Sequence, residues 1–204
     1  MLVRLDERNS IGRLLNELGL VGVGAEIGAL RGDFSEEILR VWTGKKLLLV
    51  DAWRHLSDYL DSWNFSDEEM EEHYRFAKKR LAPFGDRVSI IRELSDRAAI
   101  TIQDESLDFI YIDANHSYAA VRKDLESWYP KLRPGGLMSG HDYFDAQADA
   151  DLEPILASSF VAASKNELTS YGVKSAVDEF AERLGVKLFV TPETFPTWLF
   201  LKPK

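Results

Sequence analysis

Apolar residues follow two kinds of spacing along the chain. Residues 10–18 place Ile11, Leu14, Leu15 and Leu18 at the spacing of an amphipathic helix. Elsewhere short apolar runs recur, and helical stretches such as FSEEILRVW and AVRKDLESWYPKL separate them. The apolar runs are VGVGAEIG, KKLLLVDAW, VSIIRE, LDFIYIDA and GLMSGHDY. Strands that alternate with helices predict a parallel sheet with helices on both faces.

Two segments depart from this alternation. Residues 53–81 are too long for a simple connection and are rich in aromatic and acidic residues, which predicts a helical cap insertion. Further on, GVKLFVT and TWLFLKP are joined by a short loop with prolines, which predicts an antiparallel hairpin. We therefore expect one α/β domain over residues 1–204, with a Rossmann-like, mostly parallel seven-stranded sheet that ends in this hairpin.

The amino-acid composition and the net charge exclude several classes of protein and of binding partner. A hydrophobic fraction of 45% and a charged fraction of 29% are ordinary for a globular domain. The first residues contain no apolar run long enough for a signal peptide, so we expect a cytoplasmic protein that does not bind membranes. The absence of cysteine excludes disulfides and thiolate metal sites. A net charge of -9 argues against nucleic-acid binding and favours a small-molecule partner.

The first strand-to-helix turn, EIGALRG, is the candidate cofactor site. Gly28 and Gly32 allow the backbone to approach a ligand closely, and the carboxylate of Glu26 beside them suits a cationic ligand better than a pyrophosphate. The preceding glycines lack the GxGxxG spacing of dinucleotide-binding folds. Asp51 ends the next strand, where a carboxylate can accept both hydroxyl hydrogens of a ribose. These features indicate a nucleoside-containing cofactor.

This pattern resembles the class I S-adenosylmethionine-dependent methyltransferases over almost the whole chain. EIGALRG matches the glycine-rich first motif, LDFIYIDANH the fourth strand, LRPGG the turn before the fifth strand, and the hairpin the antiparallel end of the sheet. The resemblance implies S-adenosylmethionine as the cofactor. It assigns the cofactor contacts to Glu26, Gly28, Gly32, Asp51, Ser95 and Asp96. In this assignment the first three line the methionine end, Asp51 holds the ribose and the last two lie near adenine; a plain turn for the glycines and a helix cap for Ser95 and Asp96 are the alternatives.

Residues 112–143 resemble more narrowly a metal-dependent O-methyltransferase group that includes macrocin and catechol O-methyltransferase-like enzymes. Asp113 ends the fourth strand and His141 with Asp142 end the fifth, so adjacent strand ends bring them to one point. The resemblance implies that they bind a divalent cation. Oxygen ligands favour Mg²⁺, whereas His141 departs from the group's pattern and shifts the preference toward Mn²⁺ or another transition metal. The alternative is that both carboxylates cap loops and the histidines only form hydrogen bonds.

His116 lies three positions after Asp113, where the catechol-type enzymes place a basic residue. Histidine titrates near neutral pH and can accept the proton of an attacking hydroxyl, so we assign catalytic roles to His116 and Asp113. The alternative is that His116 only orders Asp113 or the substrate. Tyr171 is expected to face the substrate, and Asp124 is expected to be a surface charge or a structural hydrogen-bond partner rather than a ligand.

The sequence thus predicts a methyltransferase that methylates a hydroxyl of a small molecule, such as a sugar, a phenol or a natural product, with help from a divalent metal. Three alternatives stay open: a metal-independent methyltransferase, a non-catalytic cofactor-binding protein and, less favoured by the glycine spacing, a nicotinamide-dependent oxidoreductase. A homo-oligomer is compatible with all of them.

Overall fold

Seven strands form a single sheet in the order β3-β2-β1-β4-β5-β7-β6. The computed structural model describes residues 6–57, 59, 63–145 and 171–204. The strands are β1 (Val23–Ile27), β2 (Lys46–Asp51), β3 (Val88–Arg92), β4 (Leu107–Ile112), β5 (Leu132–Gly140), β6 (Phe189–Val190) and β7 (Trp198–Leu201). The first five strands are parallel, and β7 runs antiparallel to both β5 and β6. The predicted Rossmann-like sheet with an antiparallel end is confirmed.

Helices cover both faces of the sheet. Among the described residues they are α1 (Ile11–Glu17), α2 (Asp33–Val41), α3 (Asp67–Leu81), α4 (Ser95–Ile100), α5 (Tyr118–Trp128) and α6 (Val173–Leu184). The first three helices pack with Phe109 and Tyr111 of β4, and the last three pack with Ile110 and Ile112 of the same strand. Because successive strand residues point to opposite faces, β4 is buried along its whole length. Within the described residues, no helix is long and apolar enough to cross a membrane.

The segment 53–81 has two parts. Its second part forms α3, which begins with a capping box between Ser66 and Glu69 and buries Ala77 and Leu81 against the helix layer. α3 is therefore the ordinary connection from β2 to β3. Among the described residues, α3 contributes Met70 to the cavity described below, and the loop before it contributes residues such as Tyr59 and Trp63. The cap therefore stays a prediction, and it concerns mainly that loop.

The LRPGG segment lies within β5 rather than in a turn before it. Leu132 pairs with Leu107 and Leu137 pairs with Phe109, so β5 uses three more residues than β4 over the same stretch. Gly135, with φ of 76°, allows this bulge in the strand. The predicted turn was wrong because prolines and glycines mark bulges as well as turns.

Gly28 fixes how closely β1 approaches the end of β4. Its φ is 88°, and a Cβ atom there would lie 1.9 Å from the carbonyl oxygen of Asp113. We expect Gly28→Ala to lower the free energy of unfolding by at least ~3 kcal/mol, because left-handed strain adds to a backbone clash. Gly19→Ala is the matched control: its φ is 69° with no atom within 4 Å, so only ~1–2 kcal/mol of strain applies. Urea denaturation measures both, and equal losses would contradict the explanation.

Candidate functional site

A cavity of about 640 Å³ opens at the carboxyl ends of the parallel strands. This is the edge at which open α/β sheets bind ligands, and the volume is in the range of small-molecule sites. All of the predicted cofactor, metal and catalytic residues except Gly32 line the cavity. Gly32 lies outside it as the N-cap of α2, in the left-handed conformation with φ of 71°.

Asp51 lines the cavity and connects two turns. Its Oδ2 accepts a hydrogen bond of 2.9 Å from the Leu30 amide, and its Oδ1 accepts one of 2.8 Å from the Trp53 amide. Both donors have positive φ, 40° and 41°, so the carboxylate stabilises strained backbone. Burial raises the pKa of Asp51, and the amide donors oppose that rise. A carboxylate has about four lone-pair sites, and these two bonds use two of them, so Asp51 can also accept hydroxyl hydrogens.

Glu26 lies deep in the cavity and is only 2% exposed. The Ser35 hydroxyl donates a short hydrogen bond to its Oε2. Burial raises the pKa of Glu26 to about 8, although Ser35 and the guanidinium of Arg8 act in the opposite direction. A cationic ligand group beside Glu26 would favour its ionised form.

Ser95 and Asp96 stand at the start of α4, and neither caps it. The N-cap is Leu94, without a side-chain hydrogen bond. The Ser95 hydroxyl donates to Asp124 Oδ1 and accepts a bond of 2.8 Å from Trp128 Nε1. Asp96 pairs with Lys123 at 2.7 Å, and this hydrogen bond lowers its pKa. The helix-cap alternative is therefore not what the structure shows for these two residues.

Asp124 is a buried structural partner, as expected, and also a source of pH-dependent stability. Burial raises its pKa to about 7, whereas the Ser95 hydrogen bond lowers it. The folded state thus keeps a proton that the unfolded chain releases above its ordinary pKa of 3.8. This contribution to stability is fully present below pH ~4, is lost as the pH rises to ~7 and stays lost above it.

We therefore expect Asp124→Asn to remove this loss while keeping an acceptor for Ser95. Relative to the wild type, the variant should gain up to about 4 kcal/mol of unfolding free energy between pH 4 and pH 8. Urea denaturation across that range measures the difference. If the unfolding free energies of the two proteins change with pH in the same way, Asp124 is not the cause of the pH dependence.

Four predicted residues meet at the ends of β4 and β5. Ligand atoms of Asp113, His141 and Asp142 all lie within 4.8 Å of one another. His141 Nδ1 is 3.1 Å from Asp142 Oδ1, so the side chain points into the cluster. His116 Nε2 lies 3.1 Å from Asp142 Oδ2 and 3.5 Å from Asp113 Oδ1. The backbone of Asp142 is in the left-handed conformation, with φ of 53°, and this directs its side chain into the cluster.

Within this cluster, electrostatic interactions shift the pKa values of Asp113, Asp142 and His116 in the direction opposite to the shift that burial causes. Burial would raise the pKa of Asp142, but His141 and His116 hold it well below its usual range. The pKa of Asp113 is also lowered against burial, by His141, His116 and Arg8. Burial lowers the pKa of His116, yet Tyr171, Tyr59 and the two carboxylates raise it well above its ordinary value. Both carboxylates are thus held ionised among positive groups.

Arg8 is a member of the site that the sequence did not reveal. Its Nη2 lies 3.3 Å from Asp113 Oδ2, and its Nη1 lies 3.3 Å from both ring nitrogens of His141. The guanidinium also sits 4.1 Å from the ring centroid of Phe34. In the sequence, Arg8 stands in a short charged segment that is typical of solvated surface. Its role depends on a contact with Asp113, 105 positions away.

The aromatic residues of the predicted cap, and Tyr171, differ in whether they line the cavity. Tyr59 and Trp63 line the cavity. Trp53 is fully buried and packs against Tyr74 at 5.1 Å between ring centroids, so these two stabilise the core. Tyr171 does not line the cavity; it stacks on the rings of His116 and Phe144, with an interplanar angle of 8° in both pairs.

Sequence comparison gives a family match and one short local match. A family model described as a methyltransferase domain matches residues 25–143, more than half of the chain. The uncharacterized protein y4gI of Sinorhizobium fredii is 36% identical over 53 residues. That match covers 26% of this chain and only 6% of the length of y4gI.

Solved structures of low sequence identity share the fold. A Staphylococcus aureus structure described as a candidate caffeoyl-CoA O-methyltransferase has a TM-score of 0.66 and 18% identity, and the match covers 97% of this chain and 84% of that one. The O-methyltransferase from Bacillus cereus in complex with SAH has a TM-score of 0.59 and 16% identity, with 96% and 80% covered. The N-methyltransferase NodS from Bradyrhizobium japonicum has a TM-score of 0.61 and 16% identity, with 98% and 100% covered. Together with the strand order and the family match, these similarities confirm the predicted class: the chain belongs to the methyltransferase-domain family of class I architecture.

Proposed function

We propose that this protein transfers the methyl group of S-adenosylmethionine to a hydroxyl of a small molecule, with a divalent cation held by Asp113, His141 and Asp142. The proposal rests on one observation: the ligand atoms of these three side chains lie within 4.8 Å of one another, in the cavity that Asp51 also lines. The cofactor and acceptor sites would thus share one cavity. The net charge of -9 supports a small acceptor rather than a nucleic acid.

The proposed cofactor contacts come from residues that line the cavity. Asp51 would accept the ribose hydroxyls, and the buried Glu26 would pair with the ammonium or sulfonium charge. Ser95 and Asp96 border the same cavity after β3, where the adenine would lie. Gly28 contributes by letting β1 and the end of β4 approach each other.

The donor set fits a divalent cation. Two carboxylates and one imidazole are common ligands of Mn²⁺, Fe²⁺ and Zn²⁺, whereas Mg²⁺ favours oxygen alone, so His141 makes Mn²⁺ the ion to test first. When bound, such an ion supplies a Lewis acid that lowers the pKa of the acceptor hydroxyl and orients its oxygen. Three protein ligands leave coordination positions for that oxygen.

His116 is the proposed proton acceptor in its neutral form. Although burial lowers its pKa, Tyr171, Tyr59 and the two carboxylates raise it further, and a divalent cation held by the same carboxylates would oppose that rise. The Nε2 of His116 lies 3.1 Å from Asp142 and faces the cluster in which the hydroxyl would sit. The acceptor oxygen forms a bond to the methyl carbon as the carbon–sulfur bond breaks. The electron pair of that bond goes to sulfur, which gives neutral S-adenosylhomocysteine, and the hydroxyl proton goes to His116. Tyr171, stacked on His116, fixes the plane of the imidazole.

A metal-independent methyltransferase is the second candidate, because Arg8 already brings a positive charge to Asp113. An acceptor screen separates the two. We expect catechols, other phenols, hydroxylated natural products or sugars to stimulate release of S-adenosylhomocysteine, with EDTA abolishing it and excess Mn²⁺ or Mg²⁺ restoring it. Full turnover in EDTA would refute the role of the metal and would still support methyltransferase activity. No acceptor-dependent release across the panel would favour a non-catalytic binding protein.

A further inference from the structure

We propose that Arg8 is an internal counter-cation that competes with a divalent metal for the cluster of Asp113, His141 and Asp142. This inference rests on the proposed function, because it concerns the same metal site. It adds a residue to that site and predicts that the resident arginine limits the affinity of the protein for metal.

The guanidinium and a metal would need the same atoms. Arg8 lies 3.3 Å from Asp113 Oδ2 and 3.3 Å from both ring nitrogens of His141, which are two of the three candidate ligands. Metal–ligand bonds to oxygen or nitrogen are about 2.0–2.2 Å long for Zn²⁺ and similar ions. An ion bound to these atoms would therefore lie within about 5.5 Å of an Arg8 nitrogen. At that separation, in a poorly solvated cavity, a single and a double positive charge repel strongly.

Arg8 neutralises the cluster but is held there loosely. Its ion pair with Asp113 is 3.3 Å long, whereas well-formed charge-assisted hydrogen bonds are about 2.7–2.9 Å. Its Nε is buried and has no hydrogen-bond partner among the residues that the structure describes. Its other contacts are the 3.3 Å approach to the His141 ring and the faces of Phe34 and Tyr111, and each is weaker than a second ion pair. A cation with shorter bonds to the same ligands can therefore displace it.

Only the side chain needs to move for this exchange. The backbone of Arg8 is held by a hydrogen bond of 2.9 Å from its amide to Glu193 Oε1, and Ile11 three residues on is fully buried. The Arg8 side chain is 24% exposed, so it already borders solvent. Its flexible stem can carry the charge outward while the start of α1 stays in place.

The test is a titration with Mn²⁺, followed by electron paramagnetic resonance of free Mn²⁺, on the full chain. We expect Arg8→Met to bind Mn²⁺ at least tenfold more tightly than the wild type, because the apolar stem remains and the charge is gone. Arg13→Met is the matched control: Arg13 is exposed on α1, and its loss should leave the affinity unchanged. Adding Asp142→Asn to Arg8→Met should remove the gain. Binding of S-adenosylhomocysteine by each variant reports that it is folded.

Two negative results have different meanings. Equal or weaker Mn²⁺ binding by Arg8→Met would overturn the competition and leave the proposed metal site standing. If neither protein binds Mn²⁺ although both bind S-adenosylhomocysteine, the metal site itself is refuted, and the competition with it. Arg8→Lys provides a second variant that keeps the charge and most of the stem. We expect it to bind Mn²⁺ more tightly than the wild type but less tightly than Arg8→Met, and an affinity below that of the wild type would count against competition.

Discussion

Replacing Asp142 with asparagine is expected to reduce the turnover number at least about 1000-fold, which corresponds to about 4 kcal/mol of transition-state stabilisation. Asp142 contacts both His116 and His141 and belongs to the candidate metal ligands, so its charge supports every group proposed to act on the acceptor oxygen. Asparagine is preferred to alanine because it tolerates the positive φ of this residue and keeps its shape.

Steady-state release of S-adenosylhomocysteine, with the best acceptor from the screen, measures this effect. The affinity for S-adenosylhomocysteine should stay within about threefold, because Asp142 is not among the proposed cofactor contacts. Asp104→Asn is the control: this residue pairs with Lys131, is 68% exposed and lies away from the cavity. A turnover number of Asp142→Asn within tenfold of the wild type would show that the cluster of carboxylates and histidines is not the catalytic centre.

Replacing Asp51 with alanine is expected to weaken the binding of S-adenosylhomocysteine by at least about 100-fold. Two hydrogen bonds from ribose hydroxyls to a buried carboxylate are lost, and bonds to charged groups contribute roughly 1.5–3 kcal/mol each. Part of the loss has another origin, because Asp51 also holds the amides of Leu30 and Trp53. A simple affinity measurement would combine the two effects.

A double-mutant cycle with a modified ligand separates them. The wild type and Asp51→Ala are each titrated calorimetrically with S-adenosylhomocysteine and with an analogue whose ribose lacks both hydroxyl groups. We expect the wild type to prefer the natural ligand by about 100-fold and the variant to show almost no preference. If the variant keeps the preference, the ribose is bound elsewhere, and the effect of Asp51 is confined to the two turns.

The short apolar runs were sufficient to predict the sheet because strands that are covered by helices on both faces are apolar along most of their length. The run LDFIYI of β4 has no polar face apart from Asp108, as expected for a central strand with helices on both sides. The site residues at strand ends could be predicted for a related reason: parallel strands end at one edge, so Asp113 and Asp142 meet there whatever the loops do. The bulge in β5 and the position of α3 in the helix layer depend on tertiary packing, which local composition does not encode.

The role of Arg8 could not be predicted from the sequence. The neighbours of Arg8 in sequence are polar, and the groups that hold it, Asp113, His141 and Phe34, come from three other parts of the chain. Asp124 could be interpreted only as a structural or surface residue, and its burial beside Ser95 and Trp128 follows from how α4 packs on α5. Both cases depend on contacts between distant segments.

The most direct test of the proposed function is to follow the methyl group itself. S-adenosylmethionine with a deuterated methyl group is incubated with the protein, Mn²⁺ and the best acceptor, and the product is analysed by mass spectrometry and nuclear magnetic resonance. We expect the intact deuterated methyl group on an acceptor oxygen, with one S-adenosylhomocysteine released per product. A label on nitrogen or carbon, or no labelled product while S-adenosylmethionine binds, would contradict the assignment of this chain as an O-methyltransferase.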